Sequence, residues 1–230
     1  MDTCLIDGVG LWLEQLTRHI GPGRPALFFD RDGVIVEETQ YLGKAEDVHM
    51  IPAAASAIKT ANDAGVPVVI ITNQSGIGRG YYNWQEFSAV QQVIHEHLAA
   101  AGAYVDMVLA CAFHKAAQAP YAHPDHPWRK PNPGMIEAAA DALALDLGAS
   151  LIIGDKKSDL EAGQLAGIRY GVLVETGHGP VETIDFLPRD LLPMKAAIAS
   201  DVGTAVQWAR SIGWAPCTEN VIELLPPERP

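Results

Sequence analysis

Ala26-Leu27-Phe28-Phe29-Asp30-Arg31-Asp32-Gly33-Val34 constrains this chain more than any other stretch. A continuous apolar run reads as a strand buried on both faces, the habit of parallel sheets rather than of half-exposed antiparallel ones. Open parallel sheets place their ligands at the carboxyl ends of the strands. Asp30 and Asp32 stand two apart there, and Gly33 lets the backbone turn away without a Cβ. Two carboxylates in one small site repel each other unless a cation lies between them or one keeps a proton. The pair therefore points to a divalent metal, to acid–base chemistry, or to both.

Three further segments repeat the pattern. Val66-Pro67-Val68-Val69-Ile70-Ile71 runs into Thr72-Asn73-Gln74-Ser75-Gly76, a cluster of neutral donors suited to a phosphate's oxygens. Trp128-Arg129-Lys130-Pro131-Asn132-Pro133-Gly134 precedes the apolar-periodic run Met135 to Leu145. There Asn132 is the expected N-cap and Pro133 the first helical residue. Arg129 and Lys130 then lie just ahead of a helix start, where fixed cations and the helix dipole both attract an anion. Ser150-Leu151-Ile152-Ile153-Gly154-Asp155-Lys156-Lys157-Ser158-Asp159 closes another short strand in carboxylates.

The order of these segments, acids, then hydroxyl and amide, then lysine, then acid, resembles the haloacid dehalogenase-like hydrolase superfamily over roughly residues 26 to 178, an ordinary single-domain length. Asp-Arg-Asp-Gly-Val, Thr-Asn-Gln-Ser-Gly-Ile-Gly-Arg-Gly, Arg-Lys-Pro-Asn-Pro-Gly-Met and Gly-Asp-Lys are similar to one branch of it. That branch holds the D-glycero-D-manno-heptose-1,7-bisphosphate 7-phosphatases and the histidinol-phosphate phosphatases. The resemblance implies a phosphoric monoester hydrolase with Asp30 as nucleophile and Asp32 as general acid, then base. It implies Mg²⁺ on Asp30, the Asp32 carbonyl and Asp155, and phosphate held by Thr72 and Lys130. Glu38, Thr39, Gln40 and Tyr41 occupy the flap that meets the sugar. Asn73, Gln74, Ser75 and Lys156 border the same site, Arg129 meets the distal part of the substrate, and Asp159 orients Lys130 or Lys156. A heptose bisphosphate is the first substrate expected, with histidinol phosphate or another small phosphomonoester as the alternative. A non-catalytic sugar-phosphate-binding protein is the reading from a different class, and the intact Asp30, Asp32, Lys130 and Asp155 speak against it.

The chain departs from the branch in one loop. Close relatives hold zinc ahead of Arg-Lys-Pro with Cys-x-His and Cys-x-Cys. Here Cys111 persists, but Phe113 replaces a histidine, and His126 and Trp128 stand where cysteines belong. Zinc accepts any mixture of cysteine and histidine, so Cys111, His114, His123 and His126 form the alternative set. The expectation adopted is a zinc-free loop held by Pro120, Pro124, Pro127 and the packing of Trp128.

Alternating strands and helices predict a doubly wound α/β sheet with right-handed crossovers. Helices are expected at Leu11–Ile20, Pro52–Ala64, Trp84–Ala101, Pro133–Leu145, Asp159–Ala166, Leu191–Ala199 and Val202–Trp214. Strands are expected up to Phe29, from Val66 to the polar cluster that opens at Thr72, around Val105–Cys111, from Leu151, and near Tyr170–Val174. This divides the chain into an N-terminal helical extension (1–24), a phosphatase domain (25–178) and a C-terminal extension (179–230) packed on the same domain. Roughly 20 residues between Gly33 and the next helix are too few for a large cap domain, so the site should be roofed by loops.

Composition narrows the partners. A net charge of −12 argues against nucleic acid, whose binding rests on lysine and arginine. A phosphorylated substrate must therefore be held by a local positive site. No apolar run approaches the roughly 20 residues of a membrane span. An acidic amino terminus and three cysteines without framework spacing lead to the expectation of a cytoplasmic enzyme, monomeric or homodimeric.

Overall fold

The computed structural model describes residues 4–17, 20–183, 186 and 191–214. Seven strands form one sheet: β1 (Leu11–Gln15), β2 (Leu27–Phe29), β3 (Val68–Asn73), β4 (Met107–Cys111), β5 (Leu151–Gly154), β6 (Tyr170–Val174) and β7 (Lys195–Ala199). Their spatial order is β1-β4-β3-β2-β5-β6-β7. All neighbours run parallel except β1, which pairs antiparallel with β4 from Leu11 opposite Cys111 to Gln15 opposite Met107. From the central β2 the chain winds outward through β3 and β4, then crosses back to β5 and winds the other way. The carboxyl end of β2 is therefore the switch point at which such sheets open a ligand crevice.

Alternation along β2 feeds two cores. Leu27 and Phe29 point to one face, covered by α1 (Ala54–Asp63), α3 (Trp84–Ala100) and α7 (Val202–Ser211). Phe28 points to the other, covered by α4 (Gly134–Leu143) and α5 (Lys157–Leu165). The short turns α2 (Ser75–Gly78) and α6 (Gly179–Glu182) follow β3 and β6. Burial on both faces accounts for the unbroken apolar runs that mark the parallel strands in the sequence.

Two segments expected to be helical are strands. Leu11–Gln15 forms β1 because the open edge of β4 satisfies its backbone groups, and its side chains divide between faces. Trp12 enters the core beside α3, stacked on Trp84 at 5.6 Å and edge-on to Phe87 at 5.4 Å, while Leu11 and Leu13 pack on the opposite face. Lys195–Ala199 forms β7 in parallel register with β6. Asn132 is not the N-cap of α4, which Pro133 occupies; its amide instead ties Asp125 and the His126 carbonyl within the preceding loop. Both expected extensions thus contribute strands to the one sheet. The Pro-rich tail and Cys217 lie outside the described residues.

Removal of Trp12 tests this assignment of the amino-terminal segment. Trp12→Ala should lower unfolding free energy by about 3–5 kcal/mol in urea melts, the range for deleting a buried tryptophan. A surface helix would lose well under 1 kcal/mol.

Candidate active site

Asp30 follows the last residue of β2, and its position is fixed before any ligand arrives. Its carboxylate accepts the Arg31 amide at 2.7 Å and faces the Lys130 ammonium at 3.0 Å. Lys130 is buried, with its three donors directed to Asp30, to Asp159 at 2.6 Å and to the Ile71 carbonyl at 2.9 Å. Asn73 delivers this lysine. Its side-chain amide donates to the Lys130 carbonyl and its oxygen accepts the Lys130 amide, both at 3.1 Å. Asn73, expected to border substrate, lines both a small recess at the site and the cavity beside it, and at the same time splices β3 to the Lys130 segment.

Asp155 follows β5 and lies beneath a close backbone approach. Gly33, with φ +82°, would drive a Cβ to 2.4 Å from Asp155 Oδ2 and 3.0 Å from the Gly177 Cα, so no other residue fits this turn. Asp155 Oδ2 accepts the His178 amide at 2.8 Å, whereas Oδ1 is buried with no partner. Asp159, in the first turn of α5, accepts the Lys156 amide at 3.0 Å.

Ligand oxygens of Asp30, Asp155 and Asp159 all lie within 4.8 Å of one another. Burial, opposed by Lys130 and reinforced by Asp159, pushes Asp30 up to about 6. Burial and then the Asp30 and Asp159 charges push Asp155 up to about 8. The Lys130 ammonium is lowered by burial but raised more by Asp159 and Asp30, and it stays charged. An excess of buried carboxylate with an orphaned oxygen is a cation site in search of its charge. Asp30 and Asp155 fit an oxygen-coordinated divalent ion; Asp159 is already committed to Lys130.

Asp32 is held differently. Arg31 Nε and Nη2 donate to its Oδ1 at 3.1 and 2.8 Å, Nη2 also reaches its Oδ2 at 3.0 Å, and Gln74 Nε2 donates to its Oδ2 at 2.8 Å. Gln74 also donates to the Thr72 hydroxyl at 2.7 Å and accepts a short hydrogen bond from Tyr82. Gln74, like Asn73, lines the adjoining cavity and also orients this machinery.

A recess of about 60 Å³ between Asp30, Asp32, Thr72, Lys130, Lys156 and Asp159 is phosphate-sized. It adjoins a cavity of about 460 Å³ bordered by Glu38, Gln40, Tyr41, Ser75, Tyr82, Lys156 and His178. Gln40 and Tyr41 carry positive φ values of 63° and 145°, strain that non-glycine residues adopt where function over-determines the backbone. Thr39 is exposed and does not border the cavity. Neither does Arg129, whose guanidinium donates to the Phe113 carbonyl at 3.1 Å. Arg79 reaches the flap instead, donating to the Tyr41 hydroxyl at 3.0 Å. The sequence reading overlooked Arg31, Arg79, Tyr82 and His178. Arg31 and Arg79 stand inside the quoted motifs; His178 carried no local signal.

In the 112–129 loop, Nδ1 of His114, His123 and His126 each accepts a nearby backbone amide. The Phe113 ring stacks on His126 at 4.3 Å, and burial pushes the Cys111 thiol up to about 11. Trp128 packs partly buried against the second core.

The family follows from comparison with known proteins. A 7-phosphatase of D-glycero-beta-D-manno-heptose 1,7-bisphosphate from Mesorhizobium japonicum is 51% identical over 167 residues, 72% of this chain and 77% of the relative. The chain belongs to the haloacid dehalogenase-like hydrolases. The HAD-hydrolase-like family model matches residues 127–203. A heptose-1,7-bisphosphate 7-phosphatase of Thermosynechococcus vestitus is 40% identical over 80% of this chain and 95% of its own. Among solved structures, a HAD-like phosphatase of Mesorhizobium loti superposes with a TM-score of 0.77 at 43% identity, covering 89% of this chain and 95% of its own. The D,D-heptose 1,7-bisphosphate phosphatase of B. bronchiseptica, solved with magnesium and phosphate, gives 0.72 at 26% identity, covering 82% and 99%.

The raised acids predict how pH acts on stability. Asp30 and Asp155 keep protons in the folded state that they lose near pH 4 when unfolded. The folded state thus binds more protons through this window, and stability falls as pH rises from about 4 to about 8. In thermal melts of chelated protein, added Mg²⁺ should raise Tm more at pH 8 than at pH 5, because protons compete for the same oxygens. Asp155→Asn should abolish the Mg²⁺ effect. A Tm indifferent to Mg²⁺ at pH 8 would remove the cation site.

Proposed function

We propose that this chain is a Mg²⁺-dependent phosphatase that removes the 7-phosphate of a D-glycero-D-manno-heptose 1,7-bisphosphate through an aspartyl-phosphate on Asp30. The observation that carries the reading is a buried carboxylate at a strand end, 3.0 Å from a buried lysine and beside an acid with an orphaned oxygen. Such a carboxylate, packed against a phosphate-sized recess, is a nucleophile.

Mg²⁺ on Asp30, the Asp32 carbonyl and Asp155 would offset the charge of carboxylate and phosphate and steady the transferring group. The remaining work falls to side chains. Asp30 attacks phosphorus opposite the leaving oxygen, and the P–O bond to the sugar breaks. The leaving oxygen takes its proton from Asp32. In the second half Asp32 takes a proton from water as the water oxygen bonds to phosphorus and the Asp30 ester breaks. Lys130 and the Thr72 hydroxyl hold the phosphoryl oxygens, with Lys156 adding charge at the mouth. The open cavity under the Glu38–Tyr41 flap suits a substrate that extends from the recess, and Arg79, hydrogen-bonded to the Tyr41 hydroxyl, supplies positive charge beside the flap.

Asp30→Asn should leave a folded protein with turnover at least about 10³-fold lower, since uncatalysed phosphomonoester hydrolysis is among the slowest reactions known. The heptose bisphosphate should be cleaved at C7 with a higher kcat/KM than histidinol phosphate. Arg79→Ala should lower kcat/KM for the bisphosphate more than for a monophosphate. A reversed substrate order would favour an amino-alcohol phosphate, and an active Asp30→Asn would remove the covalent route.

The 112–129 loop requires no metal in this reading. A protonated, buried Cys111 thiol and histidines turned onto their own backbone make a poor zinc set. Elemental analysis of tag-free protein should give well under one zinc per chain. Stoichiometric zinc, with a Tm that falls on chelation, would show a relocated site.

A further inference from the structure

Strand β7 ends the sheet, and among the described residues no strand lies on its outer side. The Lys195 amide donates to the Arg169 carbonyl, and the Ala199 carbonyl accepts the Glu175 amide. Residues 195, 197 and 199 therefore turn their backbone groups to β6, while the N–H and C=O groups of Ala196 and Ile198 face outward. An open edge of this kind is a template for pairing unless something blunts it. Lys195–Ala199 contains no proline and its register with β6 is unbroken, while Ile198 is 42% exposed. Leu165 and Leu192 are exposed beside the same edge, on segments joined where Gln164 donates to the Leu192 carbonyl. The edge is also dipolar. Arg169 and Lys195 stand exposed at its amino end, and Glu175 and the partly exposed Asp201 stand at its carboxyl end.

We propose that the β7 edge is an interface for a second copy of this chain, paired antiparallel across a twofold axis at Ala197. Antiparallel pairing sets the basic end of each edge against the acidic end of the other, whereas parallel pairing would set like against like. With the axis at Ala197, Ala196 of one copy exchanges both backbone hydrogen bonds with Ile198 of the other, so every outward group is met. The exposed Ile198 side chain then packs on the facing Ala196. The chain's own continuation is a poorer occupant. Helices α1 and α3 cover one face and connect strands that step towards β4, while α4 and α5 cover the other and connect strands that step towards β7. Helix α7 lies on the α1 face, so a strand following it outside β7 would need the left-handed crossover that sheets avoid. Pairing leaves both active sites free, because β5 and β6 separate β7 from β2.

Sedimentation velocity on the full chain tests this. The mass should rise from 24.6 kDa towards twice that value between about 1 and about 200 µM, as mass action requires. Ile198→Lys, which adds a cation on each side of the axis, should raise the dimer dissociation constant at least about tenfold. Circular dichroism should stay unchanged, because Ile198 is already exposed. Lys195→Glu should also weaken the dimer, and by more at low salt than at high salt. Ala197→Cys should place two thiols on the axis, at the non-hydrogen-bonded spacing of about 4.5 Å between Cα atoms that a disulfide can span. Oxidation should cross-link that variant well beyond the wild type, whose own three cysteines set the background. A chain that stays monomeric over the whole range would overturn the inference. So would a dimer that neither Ile198→Lys nor Lys195→Glu weakens, since its interface would lie elsewhere or be made by residues 215–230. A dimer weakened by both but not cross-linked through Ala197→Cys would overturn the axis at Ala197. Each outcome is read without substrate and leaves the phosphatase reading untouched.

Discussion

The interaction on which this structure turns is the repulsion among Asp30, Asp155 and Asp159, three buried acids of which the buried Lys130 pairs with two, Asp30 and Asp159. Each was carried into low dielectric at a cost, and their mutual charge raises it further. Folding alone does not relieve that conflict. It is left for protons, a divalent ion and a phosphate to resolve, which makes the site receptive to all three. The surrounding architecture can be read as scaffolding for this tension. Strand β2 brings Asp30, β5 brings Asp155, α5 brings Asp159, and the Asn73 splice brings Lys130.

Rigidity is concentrated where charge is concentrated. Gly33 and Gly177 meet so closely that Asp155 is clamped beneath them. Gln74 is tied to Asp32, Thr72 and Tyr82 at once. Such over-determined side chains cost no reorganisation when a substrate arrives, the condition for electrostatic stabilisation of a transition state. The flap borders the open cavity, and there Gln40 and Tyr41 hold strained backbone. Negative charge over the whole chain and positive charge within the recess are therefore compatible: the local field is built by Lys130 and Lys156 against the background of the rest.

The two misread segments share one cause. Leu11–Gln15 and Lys195–Ala199 are the outermost strands, and an edge strand has only one neighbour to impose its period. In Leu11-Trp12-Leu13 both faces are apolar, so neither alternation nor a helical stripe stands out, and the open edge of β4 decides. Asn132 failed as a cap for a related reason: Asp125 and the His126 carbonyl, brought near by the loop, compete for its amide. Arg129, expected to meet the distal part of the substrate, turns to the Phe113 carbonyl while Arg79 meets Tyr41, because nothing local in the sequence tells which arginine will face the cavity.

What the sequence determined by itself was the set of strand ends and the chemistry placed on them. Asp30, Asp32, Thr72, Lys130 and Asp155 are legible because buried parallel strands are unbroken apolar runs, and the polar residue that ends each must stand at the same edge of the sheet. Burial and neighbourhood were decided only by the tertiary structure. Arg31 looks like a spacer between two acids, yet α3, some sixty positions away, supplies the ring and amide that turn it onto Asp32. Asp155 looks like any loop acid until Gly33 and Gly177 close over it. Electrostatic strength depends on how much water is excluded and on which charges lie within a few ångströms, and both are set by contacts distant along the chain.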